Sequence, residues 1–383
     1  MSDVIYLDNA ATSFPKPRSV TREVDRCIVK YCGNPGRGAH ALAMESAKKI
    51  YECRSLVSDL FGVGAPERVI FTQNTTYALN TVIKGILKRG DHVIISDLEH
   101  NSVWRPICKL AKEWVIEYSI FPSMCKDERA NPTRICAGLA RLLRSNTRLV
   151  ICAHASNICS YSLPIKEIGA FCKRHGLLFA VDAAQSAGHI PIDVAEMNID
   201  ALCAPAHKGL YGIQGAGIMA ISENLTLETL AEGGNGLSSL ECEMSLNAPE
   251  RYEAGTLPTP SIVGLAEGIK AISEIGIERI ARHEKELFVY ARQRLSEIGG
   301  IKIFLPDYAG SVLLFAHKDF ASERLAERLG DKGICLRAGF HCSALGHKTL
   351  GTGEGGALRA SFGIFNSSHD IDRLCDALVE VCK

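Results

Sequence analysis

From about residue 66 the chain alternates short, almost uninterrupted apolar runs with stretches of helical periodicity, and this alternation limits the fold more than any other feature of the sequence. Strands alternating with helices signal βαβ units and a parallel sheet, and strands apolar at every position belong to a sheet covered on both faces. "RVIFT" (68–72) precedes a helical stretch "TTYALNTVIKGILKRG" that Gly90 is expected to stop, and "HVIISD" is the next strand. "RLVICAHAS" (148–156) leads into "PIKEIGAFCKRHG", which opens on Pro164 and closes on Gly176, as Pro suits a first helical turn and Gly follows a last one. "LLFAVDAAQ", "IDALCAPAH" and "GAGIMAIS" extend the strand series.

The rhythm lapses over 232–260, a length at which an unpatterned stretch is functional or disordered. Beyond it come a helical region (261–298), strands "IKIFL" and "SVLLFA", a helix near 320–329, a strand "GICLRAG", an irregular Gly-rich segment around Cys342, a strand "LRASFGIF" and a closing helix from about 369. This tail reads as an α+β unit of its own.

A chain of 383 residues, 46% hydrophobic, has material for more than one core. Its 43 Lys and Arg balance 43 Asp and Glu, so no net field draws it to nucleic acid or an anionic membrane, and a small or neutral partner is favoured. Asp3 and Asp8 stand where a secretory signal needs a basic patch and an apolar run, and no apolar run reaches the roughly 18 residues of a membrane span. The fifteen cysteines are scattered without a CxxC pair, which suits reduced thiols, most of them core residues, in a cytoplasmic protein.

Lys208, in "APAHKGLYG", follows an apolar strand and precedes Gly209 and Gly212, which puts it at the carboxyl end of a sheet strand, where open α/β sheets bind ligands. A lysine there is often only solvated. Asp182, at the end of its own strand in "VDAAQ", changes the balance. A lysine for a Schiff base and an acid that keeps a pyridine nitrogen protonated are the two groups pyridoxal phosphate requires. Thr75 and Thr76 open a helix after a strand, a ready anion seat, although a plain N-cap gives the same pattern. His100 and Asn157 follow two further strands, one able to stack or move protons and the other to hydrogen-bond a ring oxygen. Cys342, between His341 and His347, could be a metal ligand, a nucleophile or one more thiol. "HCSALGH" offers at most three of the four ligands of a closed zinc site, whereas a Gly-flanked loop beside two histidines can give a thiol access and a base.

Taken together, "YLDNAATSFPKP", "NPGRGAH", "TQNTTYALN", "EHNSV", "ASN", "VDAAQSAGH", "HKGLYG", "YEAGT", "RAGFHCSALGHKT" and "LRASFGIFN" resemble the class V aminotransferase-like enzymes of pyridoxal-phosphate fold type I, and among them the group II cysteine desulfurase and selenocysteine lyase branch. The resemblance runs nearly end to end. It implies a large domain (17–260) on a mostly parallel seven-stranded sheet, and a smaller α+β domain built from 1–16 and 261–383. It implies Lys208 as the Schiff-base lysine, His100 as the ring-stacking acid/base, Asp182 as partner of the pyridine nitrogen, and Asn157 and Gln185 on the phenolic oxygen. Thr75, Thr76 and His207 hold the phosphate, joined by Thr256 from a neighbouring subunit of a homodimer. Arg359, with Ala11 and Asn157, receives the substrate, its planar fork suited to a carboxylate.

By the same resemblance Cys342 is the catalytic cysteine: L-cysteine becomes L-alanine and a persulfide is left on the enzyme, for a sulfur-acceptor protein to collect. A selenocysteine lyase or other C–S lyase uses the same machinery, a class V transaminase has no use for Cys342, and a non-catalytic thiol carrier would cluster its cysteines. The chain departs from the family pattern at Pro205 and Ala206, where a hydroxyl residue and Gly are usual, at Ile213, and at "ICSYS", which is expected to bring Cys159 and Tyr161 to the cofactor's edge.

Overall fold

The computed structural model describes residues 4–36, 38–113, 116–123, 131–236, 240–305 and 307–383. Asp3, Arg37 and residues 237–239 of the long unpatterned stretch lie outside the described residues.

In chain order the elements are β1 (Ile5–Tyr6), α1 (Arg18–Lys30), α2 (Ala41–Phe61), β2 (Val69–Thr72), α3 (Thr75–Ile86), β3 (His92–Ser96), α4 (Asn101–Lys112), β4 (Glu117–Phe121), α5 (Pro132–Leu142), β5 (Thr147–Ala153), α6 (Ile165–Arg174), β6 (Leu178–Asp182), β7 (Ala201–Pro205) and β8 (Gly217–Ile221). After the long loop follow α7 (Thr259–Ile275), α8 (Ile277–Ser296), β9 (Ile301–Phe304), β10 (Val312–His317), α9 (Ser322–Asp331), β11 (Ile334–Cys335), β12 (Arg337–Gly339), α10 (Ala344–Leu350), β13 (Ala357–Ser361) and α11 (Ser368–Val381).

Seven strands form the main sheet in the order β2-β8-β7-β6-β5-β3-β4, all parallel except β8, which runs against both neighbours. Its inner strands are almost continuously apolar because each alternate side chain meets a buried layer, whereas the edge strand β4 is partly exposed. Ile70, Val93, Ile95, Leu149, Ile151, Ala180, Cys203 and Met219 fill one face, while Phe71, Ile94, Val150, Phe179, Val181, Leu202 and Ile218 fill the other. Helices on both faces therefore leave the carboxyl rim as the accessible edge.

A second sheet, β12-β13-β10-β9, is antiparallel and backed by its own core of Phe288, Leu313, Phe315, Leu325, Leu358 and Leu374. The N-terminus joins it: β1 pairs with β11, and Asp8 bridges to Ser361. α7 packs against α1 and α2, and its Ile262, Leu265 and Ile269 share the core of the main sheet.

Four expectations change. α3 ends at Ile86, because Leu87 is already extended, so the helix stops short of Gly90. The helical region 261–298 is two helices parted at Gly276, whose φ is +91°. "GICLRAG" divides between two sheets as β11 and β12. Residues after Cys342 form α10 rather than irregular chain. Gly346 inside it signals close approach, since a Cβ there would lie 2.7 Å from Ser343 Oγ and 2.8 Å from Ile158 Cδ1. No helix among the described residues is long and apolar enough to cross a membrane.

Candidate active site

β7 ends at Pro205 and the chain returns as β8 through a turn that carries His207 and Lys208. The turn closes on itself, with Gly212 N–H donating to Ala206 O at 2.8 Å and Tyr211 N–H to Lys208 O at 2.9 Å. The N-terminal segment fastens it from outside. The His207 carbonyl accepts from Ser13 N–H (3.1 Å), Thr12 Oγ1 (3.0 Å), Ser13 Oγ (3.2 Å) and Lys16 Nζ (2.7 Å), and Ser13 Oγ also donates to Lys208 O at 2.9 Å. Gly209 is required by proximity: a Cβ there would meet Ala187 O at 2.3 Å.

One cavity at the rim is lined by Thr75, Thr76, His100, Asn157, Asp182, Gln185, Pro205, His207 and Lys208 among others. Strand pairing explains the convergence, for Ala153 on β5 is paired with Asp182 on β6 and Asp182 with Cys203 on β7. Burial pushes the Lys208 amine down to about 8, while the Asp182 carboxylate pulls the other way. Burial raises the Asp182 carboxyl, opposed by the Ala184 N–H at 2.9 Å and the charge of Lys208. Such mutual perturbation in a cleft is the mark of a functional pair.

His100 caps α4. Its Nδ1 accepts from Ser102 N–H at 3.0 Å, so the neutral ring carries its proton on Nε2. Ser102 Oγ lies 2.8 Å from the same Nδ1 and 2.7 Å from Thr76 Oγ1, linking the first turn of α3 to the cap of α4. Burial and the Lys208 charge bring His100 down to about 4, so the ring is neutral at pH 7. Gln185 donates to Ala10 O at 2.9 Å and Asn157 Nδ2 to His341 O at 2.7 Å.

Cys342 is exposed, with φ +56°, and lines a groove continuous with the cavity through their shared residues Thr76, His100 and Ser102. Asn101 N–H donates to its carbonyl at 2.8 Å, and Arg337 Nη2 approaches its Sγ at 3.9 Å. The two flanking histidines do not serve the thiol as a base. His341 Nδ1 lies 3.1 Å from His347 Nε2, their rings stacked at 12°, and His347 Nδ1 is 2.8 Å from Thr352 Oγ1. Burial lowers them to about 3 and about 4. They hold the loop, and Arg337 is the group at the sulfur.

The remaining expected residues lie around this centre. Arg359 is 1% exposed, donating Nη1 to Asn157 O at 2.9 Å and Nη2 to Asp8 Oδ1 at 2.6 Å. Its Nε is buried without a partner. Ala11 closes a turn onto Asp8 O and lines neither cavity nor groove. Thr256 is exposed in a separate cavity with Asn34, Arg54, Asn235 and Gly255, away from Lys208. Cys159 and Tyr161 do not reach the cavity. Tyr161 OH instead donates to Ser123 O at 2.6 Å and its ring packs on Tyr308, while Ser160 clasps Val312. Asp8, Ser102 and Arg337 were not singled out as site residues from sequence. Asp8 and Arg337 do stand inside the quoted motifs "YLDNAATS" and "RAGFHC", but only folding gives each its partner.

The aminotransferase class-V family model matches residues 5–374. The chain belongs to the class V aminotransferase family. It is 32% identical, over 100% of its length and 95% of theirs, to probable cysteine desulfurases of Methanothermobacter thermautotrophicus and Pyrococcus abyssi. Its fold superposes with a TM-score of 0.88 on an apo cysteine desulfurase from Thermococcus onnurineus, at 31% identity over 99% of this chain and 95% of that one. Escherichia coli CsdA gives 0.86 at 25% identity, covering 100% and 95%. Class V enzymes of this type work with pyridoxal 5′-phosphate, and the residues present fit it. The hydroxyl of Thr75 and Nδ1 of His207 are buried in the cavity lining with no partner, beside the N-terminus of α3, where Asn74 Oδ1 caps the Tyr77 N–H and the Thr75 and Thr76 N–H groups have no intrahelical acceptor. An anionic phosphate would satisfy them, and Pro205 adds no donor of its own.

Proposed function

We propose that this class V chain is a pyridoxal-phosphate-dependent cysteine desulfurase, converting L-cysteine to L-alanine and holding the sulfur as a persulfide on Cys342. The observation that carries this reading is the exposed Cys342 thiol in a groove that shares His100 with the cavity of Lys208 and Asp182. When bound, pyridoxal phosphate supplies an electron-withdrawing ring that weakens the Cα–H and Cβ–S bonds of an amino acid joined to it.

The side chains supply the rest. Thr75, Thr76 and His207 take the phosphate, Asp182 keeps the ring nitrogen protonated, and Asn157 and Gln185 face the ring's oxygen. Arg359, anchored through Nη1 and Nη2, has an unpartnered Nε to offer the substrate carboxylate. Ala11, which lines neither cavity nor groove, is assigned no contact with the substrate. Lys208, with its amine near 8, has a neutral fraction at pH 7 able to take the Cα proton. The Cys342 thiolate attacks the substrate sulfur: a new S–S bond forms, the Cβ–S bond breaks, and the carbon takes a proton to become the methyl of alanine. Arg337 is the cation beside this sulfur.

The reading extends to a homodimer, in which the exposed Thr256 reaches the phosphate of the partner subunit, and to a cytoplasmic setting that suits fourteen described cysteines without a disulfide. The test is Cys342→Ala. Alanine and sulfide formation from cysteine should fall at least 100-fold, while the cofactor absorbance band and its slow conversion to the amine form persist. Sulfide release at the wild-type rate would remove Cys342 as the nucleophile, and pyruvate-type products in the wild type would point to transamination.

A further inference from the structure

The groove beside Cys342 has a volume of about 360 Å³ and is lined by two helical faces. Thr76, Asn80 and Lys84 lie four residues apart on α3, and Asn101, Arg105 and Lys109 four apart on α4. Four-residue spacing keeps each trio on one side of its helix. Both helices begin at the cavity, so the thiol and His100 stand at the inner end of the groove. Lys84 and Lys109 stand eight residues further along, roughly 12 Å at 1.5 Å per residue. The charged groups lining it are Lys84, Arg105 and Lys109, all exposed, with Arg337 at the sulfur. No carboxylate is among these lining residues, in a chain whose acids and bases are equal in number. Glu113 touches Lys109 only at 3.9 Å in an exposed pair, too weak to cancel it.

We infer that this groove receives the sulfur acceptor as a peptide-sized, polyanionic thiol, whose sulfur meets Cys342 while carboxylates about 10 Å away rest between Lys84, Arg105 and Lys109. The inference deepens the desulfurase reading and rests on it. Size favours a small thiol, since the groove falls at the low end of small-ligand sites and runs along the seam of two packed helices. The transfer needs no outside oxidant or reductant. The acceptor thiolate attacks the outer sulfur of the Cys342 persulfide and forms a new S–S bond. The enzyme's S–S bond breaks with its electron pair going to Cys342 Sγ, and the proton stays on the transferred sulfur. Arg337 faces the thiolate that leaves.

The probes are the tripeptide thiol γ-glutamylcysteinylglycine and its diethyl ester, which differ in carboxylate charge. Enzyme is loaded with one equivalent of cysteine, alanine is counted to normalise loading, and loss of the persulfide is followed at low ionic strength. After correction for thiolate fraction, the free acid should react about tenfold faster than the ester, the advantage should vanish near 0.5 M salt, and it should invert in the double variant Lys84→Glu, Lys109→Glu. Equal rates for acid and ester, or a preference untouched by charge reversal, overturns the inference. Selectivity confined to a long acidic peptide thiol overturns the small-acceptor assignment. Absence of alanine and persulfide in the loading step would instead refute the desulfurase reading itself.

Discussion

The amide of Asn101 donates to the carbonyl of Cys342 at 2.8 Å, so the thiol's own peptide is tied to the first turn of the helix that His100 caps. That bond couples the position of the sulfur to that of the imidazole, alongside Asn157 Nδ2 on His341 O and Ser343 Oγ on Glu99 O.

Asn101→Pro isolates that bond. Pro is well suited to the first helical position, and His100, at φ −72° and ψ 154°, already has the conformation a residue before Pro prefers. Removing one donor worth about 1 kcal/mol should slow sulfur transfer onto Cys342 about five- to tenfold in a rapid-quench assay. The melting temperature should move by no more than a few degrees.

The Lys208 amine must be neutral to combine with an aldehyde, and burial puts it at about 8 against an ordinary 10.5. Uptake of pyridoxal phosphate by the apoprotein should therefore rise with pH to a plateau with a midpoint near 8. Because Asp182 raises that value, Asp182→Asn should move the midpoint lower. A midpoint above 10, read from the growth of the visible band, would mean the amine is not desolvated.

Much of this site can be read in the sequence because apolar runs end where chemistry begins. Asp182 ends β6, Lys208 follows β7, and His100 and Asn157 come just after β3 and β5, so an alternation that any sheet core demands also points to the rim. The contacts that tune those residues are hidden. Arg359 and Asp8 are 351 positions apart, and nothing local forecasts their pairing. The direction of Tyr161 depends on Tyr308 in a distant loop, and the role of the two histidines beside Cys342 depends on their stacking. Gly346 misleads for a different reason: it reads as a breaker but serves a helix pressed against Ile158.

Glu99, fully buried, accepts from Ser96 Oγ and from Ala153 N–H through Oε1, while Oε2 has no partner. Burial raises it to about 8 from an ordinary 4.5. The folded state thus holds a proton that the unfolded chain releases, so its stability contribution is complete below about 4.5 and is lost as pH rises through 8. Glu99→Gln, permanently neutral, should melt close to wild type at pH 5 and several degrees above it at pH 8.5. A constant difference across that range would show that Glu99 is ionised throughout.

Ser160 Oγ donates to Val312 O at 2.7 Å and accepts from Val312 N–H at 3.0 Å, joining the segment after Asn157 to the start of β10. Ser160→Ala removes both bonds and should cost about 1–3 kcal/mol in denaturant titration, with the cofactor band unchanged. A change in the band would mean that this contact also shapes the cavity.

The strap from Leu7 to Lys16 is bonded at one end to Ser361 on the four-stranded sheet and at the other to the carbonyls of His207 and Lys208. Between those anchors it turns over residues 8–11 and is held by Tyr6 OH donating to Thr12 O at 2.9 Å and Phe14 N–H donating to Asn9 Oδ1 at 3.3 Å. A displacement of the four-stranded sheet relative to the main sheet would be borne in part by the hydrogen bonds to the peptide that carries the Lys208 amine, so the strap is a tendon between the two sheets.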